Sequence, residues 1–173
     1  LIGRSGAELL QARRNRESLL ARLAGWLAGL NLFQVLLGAL VAGIDAGRGY
    51  TDWPLMNGEI LPSESLDYEP IWTNIFENPA LVQFDHRMIG YLVFAFAAFV
   101  WWKSRQSPLT ATRGAFALVM AMAVLQMVLG IVTVLYAAPP GLALLHQLGA
   151  VALVLLTLRA RFAALYPRAQ ALR

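Results

Sequence analysis

Four long apolar segments dominate this sequence and restrict what it can fold into. At a rise of about 1.5 Å per residue, some 20 apolar residues in a helix cross the roughly 30 Å hydrocarbon core of a bilayer. Charged residues make up only 14% of the chain, whereas an ordinary soluble domain carries about 25%. The sequence therefore predicts an all-α membrane protein, a four-helix bundle with transmembrane helices at residues 19–42, 81–102, 110–136 and 142–158.

The segments between these helices differ in length and character. The connection at residues 43–80 contains four prolines, which forbid one continuous helix. Its aromatic residues suit a membrane–water interface. They favour an ordered cap on the bundle, although an interfacial anchor without chemistry fits the same pattern. The predicted organisation is an N-terminal arm or linker at residues 1–18, a membrane bundle at 19–165, the cap loop at 43–80 and a tail at 166–173.

The charges are distributed unevenly between the two ends of the predicted bundle. The arm, the turn after the second helix and the tail, with nearby helix ends, hold twelve of the fourteen basic residues: Arg4, Arg13, Arg14, Arg16, Arg22, Lys103, Arg105, Arg113, Arg159, Arg161, Arg168 and Arg173. The cap loop and the start of the second helix hold eight of the ten acids. The excess of basic residues predicts that both termini are cytoplasmic and that the cap loop is extracytoplasmic. The chain begins with Leu1 and is expected to be part of a longer polypeptide.

An internal repeat links the four helices in pairs. The first helix contains Gln34 and Gly38, and the third contains Gln126 and Gly130 at the same spacing. Each is followed by a helix whose outer end carries a histidine. Repeats of the same topology are related by an axis along the membrane normal, so the sequence predicts a pseudo-two-fold arrangement of two plus two helices. The two histidines are then expected to face each other at equal depth.

These histidines, His86 and His146, are the only two in the chain. An ionisable side chain in a membrane marks a functional site by default, and a haem iron accepts two axial imidazoles between facing helices. We therefore expect a bis-histidine haem site. A histidine that only bonds a neighbouring helix is the simpler alternative. Zinc is less suitable because the chain offers no cysteine and no acidic cluster beside the histidines.

Four further residues near the histidines are candidate cofactor-binding residues. Gly90 and Gly149 share helix faces with the histidines and leave room for a porphyrin. Gln83 lies three residues before His86, on nearly the same face. Arg87 suits a haem propionate, or equally an ion pair with a loop carboxylate. No phosphate-binding loop, nucleophile triad or nucleic-acid-binding face is present in the sequence.

Four stretches of the sequence resemble the haem A synthase family. The similarity extends in order over about residues 30–152, and these four stretches carry it: GALVAGIDAGRGYTDWPLMNGEILP, FENPALVQFDHRMIGY, LGIVTVLY and GLALLHQLGA. The family often reads Asn-Thr where this chain has Thr51 and Asp52, which leaves the role of that loop position open.

The resemblance implies an eight-helix enzyme of the bacterial inner membrane, built from two similar four-helix halves. The family oxidises a ring methyl of haem O to the formyl group of haem A, for cytochrome c oxidase assembly. The chain is similar to the C-terminal half, which implies that His86 and His146 ligate an electron-transferring haem b. The implied partners are the N-terminal half, haem O, membrane lipid, and haem O synthase or oxidase assembly factors. The resemblance assigns no catalytic residue to this chain.

Two other functions stay open from the sequence. A membrane b-type cytochrome that only transfers electrons would use the same two ligands. A non-catalytic oxidase assembly module would need neither ligand and would bind other proteins through the cap loop.

Overall fold

The computed structural model of the chain describes residues 5–167. Within that range there are six α-helices and no β-strand: α1 Gly6–Arg14, α2 Ser18–Gly43, α3 Asn74–Glu77, α4 Pro79–Ser104, α5 Thr110–Leu135 and α6 Pro140–Leu165. The start of the predicted arm, with Arg4, and the end of the predicted tail, with Arg168 and Arg173, lie outside the described residues.

The four 26-residue helices pack in a ring. Helix α2 contacts α4 and α6, and α5 contacts the same two helices. The helices that carry the histidines, α4 and α6, therefore lie diagonally across the ring from each other. We call the end with residues 44–78 and 136–139 the loop end of the ring, and the opposite end the terminal end.

Three of the long helices in the described part of the chain are long and apolar enough to cross a membrane: α2, α5 and α6. This confirms an all-helical fold with helices that could cross a membrane. The prediction of a fourth spanning helix is not confirmed for α4, which has the same length but carries Asp85, His86 and Arg87 within its first three turns.

The last helix extends farther than the sequence indicated. The prediction ended it at residue 158, before two arginines, but α6 continues to Leu165. Its final turns pack against α2: a Cβ atom built on Gly25 would lie 3.4 Å from Nε of Arg161, and the backbone N–H of Glu17 donates to the Ala164 carbonyl at 2.9 Å. Packing therefore keeps the basic segment helical.

An apolar core fills the terminal half of the ring. It includes Leu27 on α2, Val100 on α4 and Phe116 on α5, each 1% exposed or less. A buried hydrogen bond of 3.1 Å from Asn31 to Thr157 joins α2 to α6 beside this core. The loop half contains the histidines and glutamines instead, so the fold divides into a packed apolar half and a polar half.

The connection before α4 is held by two asparagines. Asn74 bonds the backbone of residues 68 and 71, and Asn78 donates to the Glu64 carbonyl at 2.8 Å. Asn78 also accepts from the Ala80 N–H at 2.9 Å, and Pro79 occupies the first turn of α4. This cap with a following proline is typical of a helix start. The same residue therefore begins α4 and ties the loop to it.

Candidate functional site

The two histidines meet in the polar half of the ring. The centres of the His86 and His146 rings are 6.4 Å apart, and the ring planes are nearly perpendicular at 83°. Helices α4 and α6 both run from the loop end, and each histidine lies two turns inside its helix. The predicted juxtaposition of the two imidazoles is present in the structure.

The first repeat holds His86 from two sides. The Gln34 side-chain amide donates to the His86 carbonyl oxygen at 2.9 Å, and the same nitrogen lies 3.1 Å from Nδ1 and 3.3 Å from Nε2 of the ring. One turn farther along α2, a Cβ atom on Gly38 would lie 3.1 Å from Cε1 of His86. Glycine at this position lets the ring approach the backbone of α2.

The second repeat places the corresponding residues in the same way. A Cβ atom on Gly130 of α5 would lie 3.2 Å from Cε1 of His146. The Gln126 amide packs against Gly149 of α6 as the Gln34 amide packs against Gly90 of α4. Each helix pair is therefore joined by a glutamine over a glycine and a histidine over a glycine. We call this arrangement the glutamine–histidine interlock.

The interlock explains why the two positions after the histidines, Gly90 and Gly149, carry no side chain. A Cβ atom on Gly90 would lie 3.2 Å from Nε2 of Gln34, and one on Gly149 would overlap the Gln126 amide. The space that the sequence assigned to a porphyrin is thus occupied by glutamine side chains in the structure. Contact of either glycine with a porphyrin stays a prediction.

The histidine pair fits a metal held between two imidazoles. A metal–nitrogen bond of about 2 Å puts each ring centre about 3 Å from the metal, so two axial imidazoles need ring centres about 6 Å apart, close to the observed separation. Three buried polar atoms around the pair have no hydrogen-bond partner in the described structure: Oε1 of Gln34, Nε2 of Gln126 and Nδ1 of His146. Buried polar atoms normally have partners, so these atoms fit a site completed by a bound group.

The two imidazoles favour a metal whose other ligands come from a cofactor and not from the protein. Residues 5–167 contain no group of three or more His, Cys, Asp or Glu side chains placed to hold a metal ion. Two imidazoles alone are too few for a structural zinc site, which takes four protein ligands. A porphyrin supplies the remaining four nitrogens around an iron. The donors present therefore fit a haem.

Arg87 ties the loop to α4. Its guanidinium donates to the carbonyl oxygens of Tyr50, Asp52 and Leu55 at 2.9, 3.0 and 2.9 Å. Arg87 forms no ion pair with a carboxylate in the described structure, so the ion pair predicted as an alternative to a haem propionate is not supported. A guanidinium presents five N–H donors in a rigid plane, so one side chain can hold three backbone carbonyl groups of the loop.

Gln83 also contacts the loop and not the imidazole. It is buried, and its amide donates to the Tyr50 carbonyl at 3.1 Å. A contact of Gln83 with a bound cofactor stays a prediction, because in the described structure its amide bonds the loop backbone. Gln83 and Arg87 thus share one loop carbonyl.

The carboxylate of Asp52 holds a turn in the loop. Asp52 accepts the backbone N–H groups of Asn57 and Gly58 at 2.8 and 3.1 Å, which lowers its pKa, and the charge of Arg87 adds to this. Gly58 has φ of +84°, a value that favours glycine. Asp52, which lies where the resembled family often has the second residue of an Asn-Thr pair, thus caps a tight turn.

Tyr50 donates to Glu64 across the loop. Burial, this hydrogen bond and the charge of Glu64 raise the pKa of Tyr50 to about 12. The same hydrogen bond lowers the pKa of Glu64. At neutral pH, Tyr50 is therefore a neutral phenol that donates the hydrogen bond, and Glu64 is a carboxylate that accepts it.

Comparison with known proteins identifies the family. Residues 3–158 match the family model described as "Cytochrome oxidase assembly protein" (COX15-CtaA). The chain is 57% identical to a "Heme A synthase" of Dinoroseobacter shibae over 100% of its own length and 45% of the relative's. A "Heme A synthase" of Ruegeria pomeroyi is 54% identical, with 99% and 45% covered, and one of Paracoccus denitrificans is 54% identical, with 96% and 44% covered. No solved structure gives a significant match.

The chain spans about 45% of the length of these relatives. The aligned part is their N-terminal 45%, which contradicts the prediction that the chain is the C-terminal half. The motifs that carried the resemblance, such as a glutamine followed by a histidine-bearing helix, therefore do not identify which half the chain matches. The match over nearly the whole chain nevertheless shows that the chain belongs to the cytochrome oxidase assembly family that includes the haem A synthases.

Proposed function

We propose that this chain is the haem-binding part of a haem A synthase. His86 and His146 are the axial ligands of a haem b, and the longer protein oxidises the ring methyl of haem O to the formyl group of haem A. The observation that carries this proposal is the 6.4 Å separation of the two imidazole rings on diagonally opposed helices.

The residues around the histidines support ligation. Gln34 holds the backbone and the ring of His86, and Gly38 and Gly130 let the two rings approach the neighbouring helices. Ligating imidazoles are normally oriented by a partner at the other ring nitrogen. The Gln34 amide nitrogen is itself a donor and cannot accept an imidazole N–H, so Gln34 orients His86 through the bond to the His86 carbonyl oxygen. Oε1 of Gln34 and Nδ1 of His146 have no partner in the described structure.

The two-histidine site favours electron transfer over oxygen activation. A haem held by both His86 and His146 would supply one-electron chemistry, and neither imidazole would then be available to a substrate. The apolar core beneath the site excludes water from the terminal half of the ring. Arg87 and Gln83 hold the loop over the helix that carries His86. The loop is thereby placed to shield the edge of the site.

The distribution of charges supports an orientation. We propose a multi-pass protein of the bacterial inner membrane, with both termini cytoplasmic, the loop end extracytoplasmic and α4 crossing beside the other three helices. At about 1.5 Å per residue, the 26 residues of α4 extend about 39 Å, enough to cross the bilayer. Haem O is the proposed substrate of the whole protein, and haem O synthase and oxidase assembly factors are its proposed partners.

Haem extraction from cells tests this function. Deletion of the gene should abolish haem A and accumulate haem O, and the wild-type gene should restore haem A. A complementing gene that carries His86→Ala should not. Normal haem A in the deletion strain would contradict the proposal and favour an electron-carrying b-type cytochrome. A purified protein without haem absorbance would favour a non-catalytic assembly module.

A further inference from the structure

A basic cleft lies at the terminal end of the ring, far from the histidine pair. It runs between the start of α2 and the end of α6 and is lined by ten residues: Arg16, Ser18, Ala21, Arg22, Gly25, Trp26, Ala28, Leu158, Arg161 and Leu165. Three of them are arginines, and none of those lining residues within the described structure is acidic. The three arginine side chains are exposed. Arg16 donates one N–H to the Arg13 carbonyl at 3.4 Å, which leaves its other guanidinium N–H groups for a ligand.

In the cleft, the charged side chains lie nearer the helix ends and the apolar side chains lie deeper. Arg22 and Arg161 each lie four residues inside the end of their helix, about 6 Å along the axis. Trp26 and Leu158 lie one turn deeper on the same faces and are 75% and 45% exposed. The cations therefore stand at headgroup level, and the apolar side chains stand where acyl chains begin.

The Arg161 side chain packs on α2 at Gly25. A Cβ atom on Gly25 would make an ordinary van der Waals contact with Nε of Arg161, at 3.4 Å, so the guanidinium lies close to the backbone of α2. From there it faces the same cleft as Arg22 and Arg16. A guanidinium pairs with phosphate oxygens through two parallel hydrogen bonds.

We propose that Arg16, Arg22 and Arg161 bind the phosphate group of an anionic phospholipid. A free phosphate ion would use the same arginines, but it would leave Trp26 and Leu158 without a role. Basic clefts between transmembrane helices at the cytoplasmic side are suited to anionic headgroups. The site is independent of the histidine pair and of the proposed enzymatic activity, and it rests on the proposed cytoplasmic position of the terminal end.

Native mass spectrometry of the purified full protein tests the proposal. The protein in detergent is incubated with equal amounts of phosphatidylglycerol and phosphatidylcholine, and the bound lipids are counted. Wild type should retain phosphatidylglycerol preferentially, and R22Q/R161Q should lose this preference by about fivefold per arginine. The matched variant R14Q/R159Q removes two exposed arginines outside the cleft and should behave as wild type.

Three outcomes would overturn the proposal: no preference for phosphatidylglycerol in wild type, equal loss in both double variants, or displacement of the lipid by inorganic phosphate. The last would assign the cleft to a free anion. Circular dichroism checks the fold of each variant, and the single variants R22Q and R161Q replace the double variant if it does not fold.

Discussion

One side chain of α2 fixes both the backbone and the ring of His86. Nε2 of Gln34 lies 2.9 Å from the His86 carbonyl oxygen and 3.1 Å from Nδ1 of its imidazole. In an α-helix that carbonyl already accepts an N–H bond, so the amide adds a second donor to it. The contact joins α2 to α4 at the depth of the site and makes Gln34 a positioning residue for the histidine.

Gln34→Leu should therefore weaken haem binding while the protein remains folded. Leucine keeps a similar volume but holds neither the ring nor the carbonyl. Loss of such an outer partner typically costs about 10- to 100-fold in affinity. Titration of the haem-free protein with haem, followed by absorbance, measures the change. Affinity equal to that of wild type would show that Gln34 does not position the ligand.

Gly38→Ala should disturb the site, whereas Gly29→Ala should not. A Cβ atom at Gly38 would lie 3.1 Å from Cε1 of His86, but one at Gly29 meets nothing within 4 Å. In a helix, alanine is favoured over glycine by about 1 kcal/mol, so Gly29→Ala should stabilise the protein slightly. Haem content per protein and the thermal unfolding midpoint separate the two variants. Equal haem content in both would contradict the close approach of ring and helix.

Much of this arrangement was accessible from the sequence, and the missed part has a physical cause. The paired spacing of Gln34 with Gly38 and of Gln126 with Gly130 indicated a repeat, and the repeat predicted that the histidines meet. What each glutamine touches depends on how the helices rotate against each other, which a single sequence does not specify. The packing of the Gln34 amide against Gly90 was thus not anticipated.

The loop contacts were the least predictable part of the structure. Backbone carbonyls carry no sequence signal, so nothing in the residue types indicated that Arg87 bonds residues 50, 52 and 55. The end of α6 was missed for a related reason. The apolar run indicated an end near residue 158, whereas α6 packs against α2 as far as Ala164 and ends at Leu165.

Arg87→Lys should release the loop from α4. An ammonium group is a compact point charge and does not match three carbonyl oxygens as a guanidinium does. Loss of such bonds typically costs about 1 to 3 kcal/mol. Hydrogen exchange of residues 50–58 should therefore become faster, while Arg48→Lys, an exposed loop arginine near Asp45, serves as the control. Unchanged exchange with reduced haem content would instead favour contact of Arg87 with a haem propionate.

Acid should loosen the turn that Asp52 caps. The pKa of Asp52 is lowered from its ordinary 3.8, chiefly by the backbone N–H of Asn57. Its stabilising effect is therefore fully present above pH 3.8 and is lost as the pH falls through the lowered value. Amide exchange at Asn57 and Gly58, compared with an Asp52→Ala variant at each pH, measures this effect. If the two proteins differ equally at every pH, the carboxylate does not hold the turn.

The most direct test of the account is the absorbance and electron paramagnetic resonance spectrum of the purified full protein and of two single variants. If His86 and His146 bind one haem, wild type shows a low-spin signal with two imidazole ligands, and His86→Ala and His146→Ala each lose it. Persistence of the same bis-imidazole spectrum in both variants would show that the haem, if present, is held elsewhere.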